Sequence, residues 1–170
     1  MLAAPNGAGW TSVEVGGGEF TFSAAHMGLH DGRFEALHGH TFTAVLRLSG
    51  APDPATGILV DFTEVKAALR EAIRPLRRRT LLPADAPQVS VCDGGRVVAD
   101  DGHKRYDLPA EDITLLPVPN TTTEAIAGWL AAQVLPRLSE PARLRRVELV
   151  LSEAPDTAAT VVAVLPASLR

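Results

Sequence analysis

Cysteine is nearly absent from this chain. Cys92 stands alone, so no disulfide can form within it. That fits a reducing compartment, and the cytoplasm is the expected location. Cys92 lies in the turn-like stretch Val91-Cys92-Asp93-Gly94-Gly95 and reads as incidental. Long apolar runs are missing as well, and none approaches the length of a membrane span. A basic start followed by an apolar core is also missing, so no secretory leader is expected. Nor is there an excess of positive charge. A net charge of −4 over 170 residues argues against a nucleic-acid partner. Hydrophobic residues make up 46% and charged residues 21%, enough apolar material for one globular domain with a core.

Three histidines carry most of the information. His26 ends Phe22-Ser23-Ala24-Ala25-His26, and His38 and His40 sit in Leu37-His38-Gly39-His40-Thr41. Both stretches alternate like β-strands. Phe20, Phe22, Ala24 and His26 fall on one face, and His38, His40, Phe42, Ala44, Leu46 and Leu48 on one face of another strand. Two strands thus offer three imidazoles from their inward sides. Three neutral ring nitrogens with one vacant position form the ligand set of a catalytic zinc. Satisfied core histidines are the competing reading. Gly39 is expected to relieve crowding where the rings converge.

The rest of the pattern reads as follows. Residues 1–11 are rich in Ala, Gly and Pro and are expected to be flexible. Residues 12–26 form a strand, bulged at Gly16-Gly17-Gly18, residues 27–37 a loop, and residues 40–49 an antiparallel partner strand. Asp61, with Glu64 three residues on, opens a helix carrying Val65, Leu69, Ile73 and Leu76, which Pro75 limits. Residues 88–108 form a small β unit around Asp93-Gly94-Gly95. Thr121-Thr122-Thr123-Glu124 opens a second helix striped by Ile126, Leu130, Val134 and Leu138. Residues 145–152 and 159–165 close the chain as two strands. Antiparallel strands and helices kept separate predict an α+β fold, with the helices on one face of the sheet.

These segments resemble the 6-pyruvoyltetrahydropterin synthase and 6-carboxytetrahydropterin synthase family. Its markers here are Phe22-Ser23-Ala24-Ala25-His26, Leu37-His38-Gly39-His40-Thr41, Gly57-Ile58-Leu59-Val60-Asp61-Phe62, Asn120-Thr121-Thr122-Thr123-Glu124 and Ser152-Glu153, in the family's order. The resemblance implies the tunnelling fold over residues 1–170: a four-stranded antiparallel sheet, two helices on one face, and an inserted hairpin region at about 84–112. It implies subunits joined edge to edge as a trimer or hexamer, and Zn2+ on His26, His38 and His40. It implies a small-molecule dihydropterin substrate, its guanidine-like edge held by paired hydrogen bonds to Glu153. It also implies Thr122, Thr123 and Arg78 as further substrate-binding residues.

The family's catalytic groups do not carry over. The synthases have a cysteine four residues before the first His of the HGH motif, and Phe34 stands there. Their Asp-His pair after the first helix aligns with Arg77 and Arg78. Glu35, three residues before His38, is the candidate replacement. One branch of the family resembles this pattern and cleaves the side chain of dihydroneopterin to 6-hydroxymethyl-dihydropterin. A carboxylate suits that retro-aldol step, which takes a proton from a hydroxyl rather than from carbon. The expected function is therefore a zinc-dependent lyase acting on a dihydropterin such as 7,8-dihydroneopterin or its triphosphate, with Glu35 as base. The alternative is a zinc-containing pterin-binding homologue with lost or altered catalysis. Arg77 to Arg79 read either as a solvated basic helix end or as an anion clamp. His30, four residues after His26, reads as a loop residue, with a spare ligand or a proton carrier as the alternatives.

Overall fold

Alternating burial builds the central sheet. The computed structural model describes residues 10–138 and 143–165. Strand β1 (Thr11–His26) pairs antiparallel with β4 (His38–Gly50), which places Ala24 opposite His40 and His26 opposite His38. Phe20, Phe22, Ala24, Phe42, Ala44, Leu46 and Leu48 are all buried, on the faces that the alternation assigns. Each fully buried Phe or Leu contributes roughly 1.5–3 kcal/mol. The register shifts between Gly16 and Thr21, so the expected bulge is there. Before it the odd positions Val13 and Val15 face the core; after it the even positions Phe20 and Phe22 do. Gly16 is required at the bulge, because a Cβ would lie 2.7 Å from Cγ2 of Val45.

Helix α1 (Phe62–Ile73) starts at Asp61, whose side chain accepts the Thr63 N–H at 2.7 Å. Its stripe of Val65, Leu69 and Ile73 is buried, and Pro75 diverts the chain into a 3-10 turn at Arg74–Leu76. Helix α2 (Thr123–Val134) buries Ile126, Ala127, Leu130 and Val134. Its cap is Thr122, one residue later than the four-residue pattern suggests, and its hydroxyl accepts the Ala125 N–H. Both helices pack on the sheet and on each other. Strand β10 (Leu144–Ala154) pairs with β4, and β11 (Thr157–Val164) pairs with β10. Of the N-terminal flexible stretch expected from sequence, residues 1–9 lie outside the described residues, and Thr11 already belongs to β1.

The four antiparallel strands and two helices are as expected. Two short parallel strands extend the sheet: β5 (Thr80–Pro83) beside β1, and β9 (Ile113–Leu116) beyond it. The strand order is β11-β10-β4-β1-β5-β9. Between β5 and β9 the chain makes a separate three-stranded antiparallel sheet of β6 (Val89–Cys92), β7 (Arg96–Asp100) and β8 (Arg105–Pro109), one strand more than a hairpin. The loop predicted over residues 27–37 is a tight hairpin, β2 (Leu29–His30) and β3 (Arg33–Phe34). Asp31 and Gly32 form its turn with φ of 51° and 77°, the left-handed pair that such hairpins require. A second small core unites this hairpin with the inserted sheet through Met27, Phe34, Leu82, Val97 and Ala99. Among the described residues no helix is long and apolar enough to cross a membrane.

Candidate active site

The register of β1 against β4 brings the three histidines together at one end of the sheet. Ring centroids lie 4.7 Å apart for His26 and His38, 5.2 Å for His26 and His40, and 4.9 Å for His38 and His40. One nitrogen from each lies within 4.8 Å of the others. Three nitrogens at 2.0–2.1 Å from a tetrahedral ion stand roughly 3.4 Å apart, a spacing that small ring rotations reach. Phe42 packs against His26 and His40 at 5.7 and 5.6 Å and fixes their tilt. Gly39 does not relieve ring crowding as expected. Alternation turns position 39 to the opposite face, where a Cβ would meet the Ala24 carbonyl oxygen at 3.4 Å and the Ala25 Cα at 3.9 Å.

Hydrogen bonds fix which nitrogen is free. His26 is 4% exposed, and its Nδ1 lies 2.7 Å from the Thr121 carbonyl oxygen. A carbonyl only accepts, so Nδ1 carries the proton and Nε2 presents its lone pair. That Nε2 is buried, with no hydrogen-bond partner among the described residues. His38 repeats the device, its Nδ1 donating to the Ala36 carbonyl at 2.8 Å. Burial lowers the His26 pKa, the Thr121 carbonyl raises it, and His38 and His40 lower it further. The net effect keeps the ring neutral, the form that binds a metal. An orphaned buried nitrogen, oriented by a carbonyl on its far side and converging with two more, fits a metal ion.

The histidines line a cavity of about 450 Å³ that also takes in Gly28, His30, Glu35, Thr122, Thr123, Glu124, Glu153 and residues 157–159. That volume suits a small organic ligand. Glu153, near the end of β10, accepts a short hydrogen bond from the Thr123 hydroxyl, which orients its carboxylate. Glu35 Oε1 accepts the Gly28 N–H at 2.5 Å, and Glu35 Oε2 lies 4.0 Å from His30 Nε2. A Cβ at position 28 would sit 2.8 Å from Glu35 Oε1, so a larger residue there would displace the Glu35 carboxylate. Thr121 and Asn120 tie this wall to the α2 entrance. The Thr121 hydroxyl donates to the Met27 carbonyl at 3.1 Å, and the Asn120 amide clasps both the N–H and the C=O of Leu29.

Of the residues singled out from sequence, His26, His38, His40, Glu35, Glu153, Thr122 and Thr123 share this cavity, and Arg78 does not. Arg78 lines a neighbouring cavity with Arg79, Ser23 and Thr41, which shares His40 with the first, and holds a left-handed φ of 56°. Arg77 is committed to structure, donating to the carbonyls of Thr21 and Glu19 beside the β1 bulge at 2.9 and 2.6 Å. Sequence reasoning missed Gly28 and Glu124 as cavity wall and favoured a plain loop role for His30, which also lines it. The Asp31-Gly32 turn was the available signal, since closing that hairpin folds Gly28 and His30 onto Glu35.

Comparison with known proteins agrees with this geometry. The profile of the 6-pyruvoyl tetrahydropterin synthase family matches residues 17–163. A Methanocaldococcus jannaschii protein named for 6-carboxy-5,6,7,8-tetrahydropterin synthase is 28% identical over 118 residues, 69% of this chain and 72% of its own. The 6-pyruvoyl tetrahydropterin synthase of Plasmodium vivax superposes with a TM-score of 0.83 at 25% identity, over 92% of this chain and 99% of that one. A variant of the P. vivax enzyme, described as a catalytic residue mutant in which glutamate is replaced by alanine, matches at 0.83 with 24% identity over 92% and 99%. A tunnelling-fold chain with its three histidines converging at the sheet end, matched over nearly its whole length, belongs to the 6-pyruvoyl tetrahydropterin synthase family.

Proposed function

We propose that this protein is a zinc-dependent lyase that cleaves the side chain of a dihydropterin, 7,8-dihydroneopterin or its triphosphate, with Glu35 as the base. The observation that carries the reading is the placement of Glu35 in one cavity with the three histidines, where Phe34 occupies the position of the family's cysteine. A glutamate named as a catalytic residue in the P. vivax relative supports the same reading.

Each wall of the cavity has a task. Glu153, oriented by Thr123, accepts paired hydrogen bonds from the pterin's guanidine-like edge. His26, His38 and His40 hold zinc, which supplies Lewis-acid polarisation of a side-chain oxygen. Glu35, aimed by the Gly28 N–H, takes the proton of the hydroxyl on the outer carbon of the bond to be broken. The carbon–carbon bond then breaks, the hydroxyl carbon leaves as a two-carbon aldehyde, and the electron pair moves into the pterin C=N bond. Glu35 returns its proton to the remaining side-chain carbon, giving 6-hydroxymethyl-dihydropterin. Protons and electrons balance without an added oxidant or reductant.

The edge strands support assembly of several copies. Among the described residues β11 has no partner on its outer side, and Val162 and Val164 are 44% and 77% exposed. Pairing of such edges between copies gives the trimer or hexamer.

The test is product analysis. Zinc-loaded protein is incubated with 7,8-dihydroneopterin and separately with its triphosphate, and products are identified by mass. The expected result is 6-hydroxymethyl-dihydropterin from at least one of them. Tight pterin binding without product from either would instead favour a pterin-binding homologue without turnover.

A further inference from the structure

We infer that the inserted sheet β6–β8 is a brace for the catalytic loop, and that Asp101 and Lys104 are positioning residues for Glu35. This rests on the reading of Glu35 as the base. The turn from β7 to β8 reaches the peptide groups of Phe34, the residue immediately before Glu35. Asp101 Oδ2 accepts the Phe34 N–H at 2.7 Å, and the Lys104 ammonium donates to the Phe34 carbonyl at 2.8 Å. Asp101 Oδ1 meanwhile accepts the N–H groups of His103 and Lys104 at 2.8 and 2.6 Å, which closes the turn and fixes the carboxylate. One inserted turn therefore holds both polar groups of a single residue of the catalytic loop.

The side chain of Phe34 is held by the same insert. It is 3% exposed and packs with Met27, Leu82, Val97 and Ala99. Val97 and Ala99 belong to β7. From this fixed point the chain passes directly to Glu35, whose own N–H donates to the Gly28 carbonyl at 3.0 Å while its carboxylate accepts the Gly28 N–H. The hairpin β2–β3 has two residues in each strand, and a two-stranded hairpin standing alone is marginal in water. Leu82 of β5 and the Asn120 clasp on Leu29 also anchor this hairpin, and the insert adds the only side-chain hydrogen bonds to the Phe34 peptide groups among the described residues. The carboxyl of Asp101 is held down to about 2, first by the Lys104 N–H and then by the Phe34 N–H, so it stays an acceptor at any working pH.

The experiment compares Asp101→Ala, Asp101→Asn and Lys104→Met with the parent and with Glu35→Gln. It measures kcat, KM, bound zinc, and hydrogen exchange at the Gly28 and Glu35 amides. Displacing a base by about an ångström costs up to about 100-fold in rate. Asp101→Ala should therefore lower kcat by about 10- to 100-fold with KM and zinc stoichiometry unchanged, and should speed exchange at both amides. Asp101→Asn keeps one acceptor oxygen but sets an NH2 donor where the second carboxylate oxygen accepts an N–H, so it should recover kcat only in part. Lys104→Met should show the same pattern more weakly, and it carries the test if Asp101→Ala does not fold. Parent-like kcat and parent-like exchange in the alanine and methionine variants would overturn the brace while Glu35→Gln remains inactive. Full activity in Glu35→Gln would instead remove the reading beneath it, and protection lost at Gly28 and Glu35 in Asp101→Ala would then mark a structural contact only.

Discussion

The histidine-bearing end of the sheet and the loop that carries Glu35 are built in opposite ways. His26, His38 and His40 sit at the ends of strands 16 and 13 residues long, joined by a long antiparallel ladder and backed by a continuous apolar core. Glu35 follows a hairpin of two-residue strands and depends on contacts from elsewhere in the chain: Gly28, Asn120, Asp101 and Lys104. Binding an ion demands fixed convergence of rings, which a ladder delivers. A proton-transferring carboxylate demands accurate aim within reach of a substrate that must enter and leave, and a braced hairpin allows both.

Breaking the first region should have the larger effect. His26→Ala removes the buried nitrogen and one of three ligands, and stoichiometric zinc should be lost, as read by elemental analysis of the purified protein. Phe42→Ala and Phe34→Ala delete rings of equal size from the two cores, at a cost of about 3–5 kcal/mol each by denaturant melts. Their consequences should differ. Phe42 supports two imidazoles, so its loss should weaken zinc about 10- to 100-fold, as other supporting contacts do. Phe34→Ala should leave zinc affinity intact and lower kcat.

Acid should separate the regions more finely. Folding depresses the Asp101 pKa from its ordinary 3.8 to about 2. A carboxyl shifted downward stabilises the fold fully above its unfolded value and loses that contribution as pH falls through its folded value. The brace should therefore release between about pH 4 and pH 2, seen as movement of the Phe34 amide signal, and Asp101→Asn should abolish that transition. The smallest effect belongs to His30. Its side chain is 75% exposed and only loosely opposed to Glu35, so His30→Ala should change stability by less than about 0.5 kcal/mol.

The same contrast explains what could be read from sequence. A period of two persists through Phe20 to His26 and from His38 to Leu48, so both strands, their inward faces and the histidine cluster were legible. Glu153 near the end of β10 and Thr123 at the start of α2 line the same cavity as the histidines. The short elements were not legible. β5 and β9 are four residues each and pair in parallel across an insertion, so no local turn announces them. The two-residue strands flanking Asp31-Gly32 are too short to show alternation, although the dipeptide itself marks the turn. The clamp of Asp101 on Phe34 spans 67 residues and involves backbone groups, which side-chain patterning cannot reveal.

The central claim is that ion binding and proton transfer reside in these two separately built regions. The most direct measurement is a single-turnover assay of zinc-loaded Glu35→Gln against the parent on 7,8-dihydroneopterin, with bound zinc and bound pterin determined in the same samples. The account predicts one zinc per chain and parent-like pterin binding in both, with product formation slowed about 100- to 10,000-fold in the variant. Parent-like turnover in Glu35→Gln, or loss of its zinc, would contradict it.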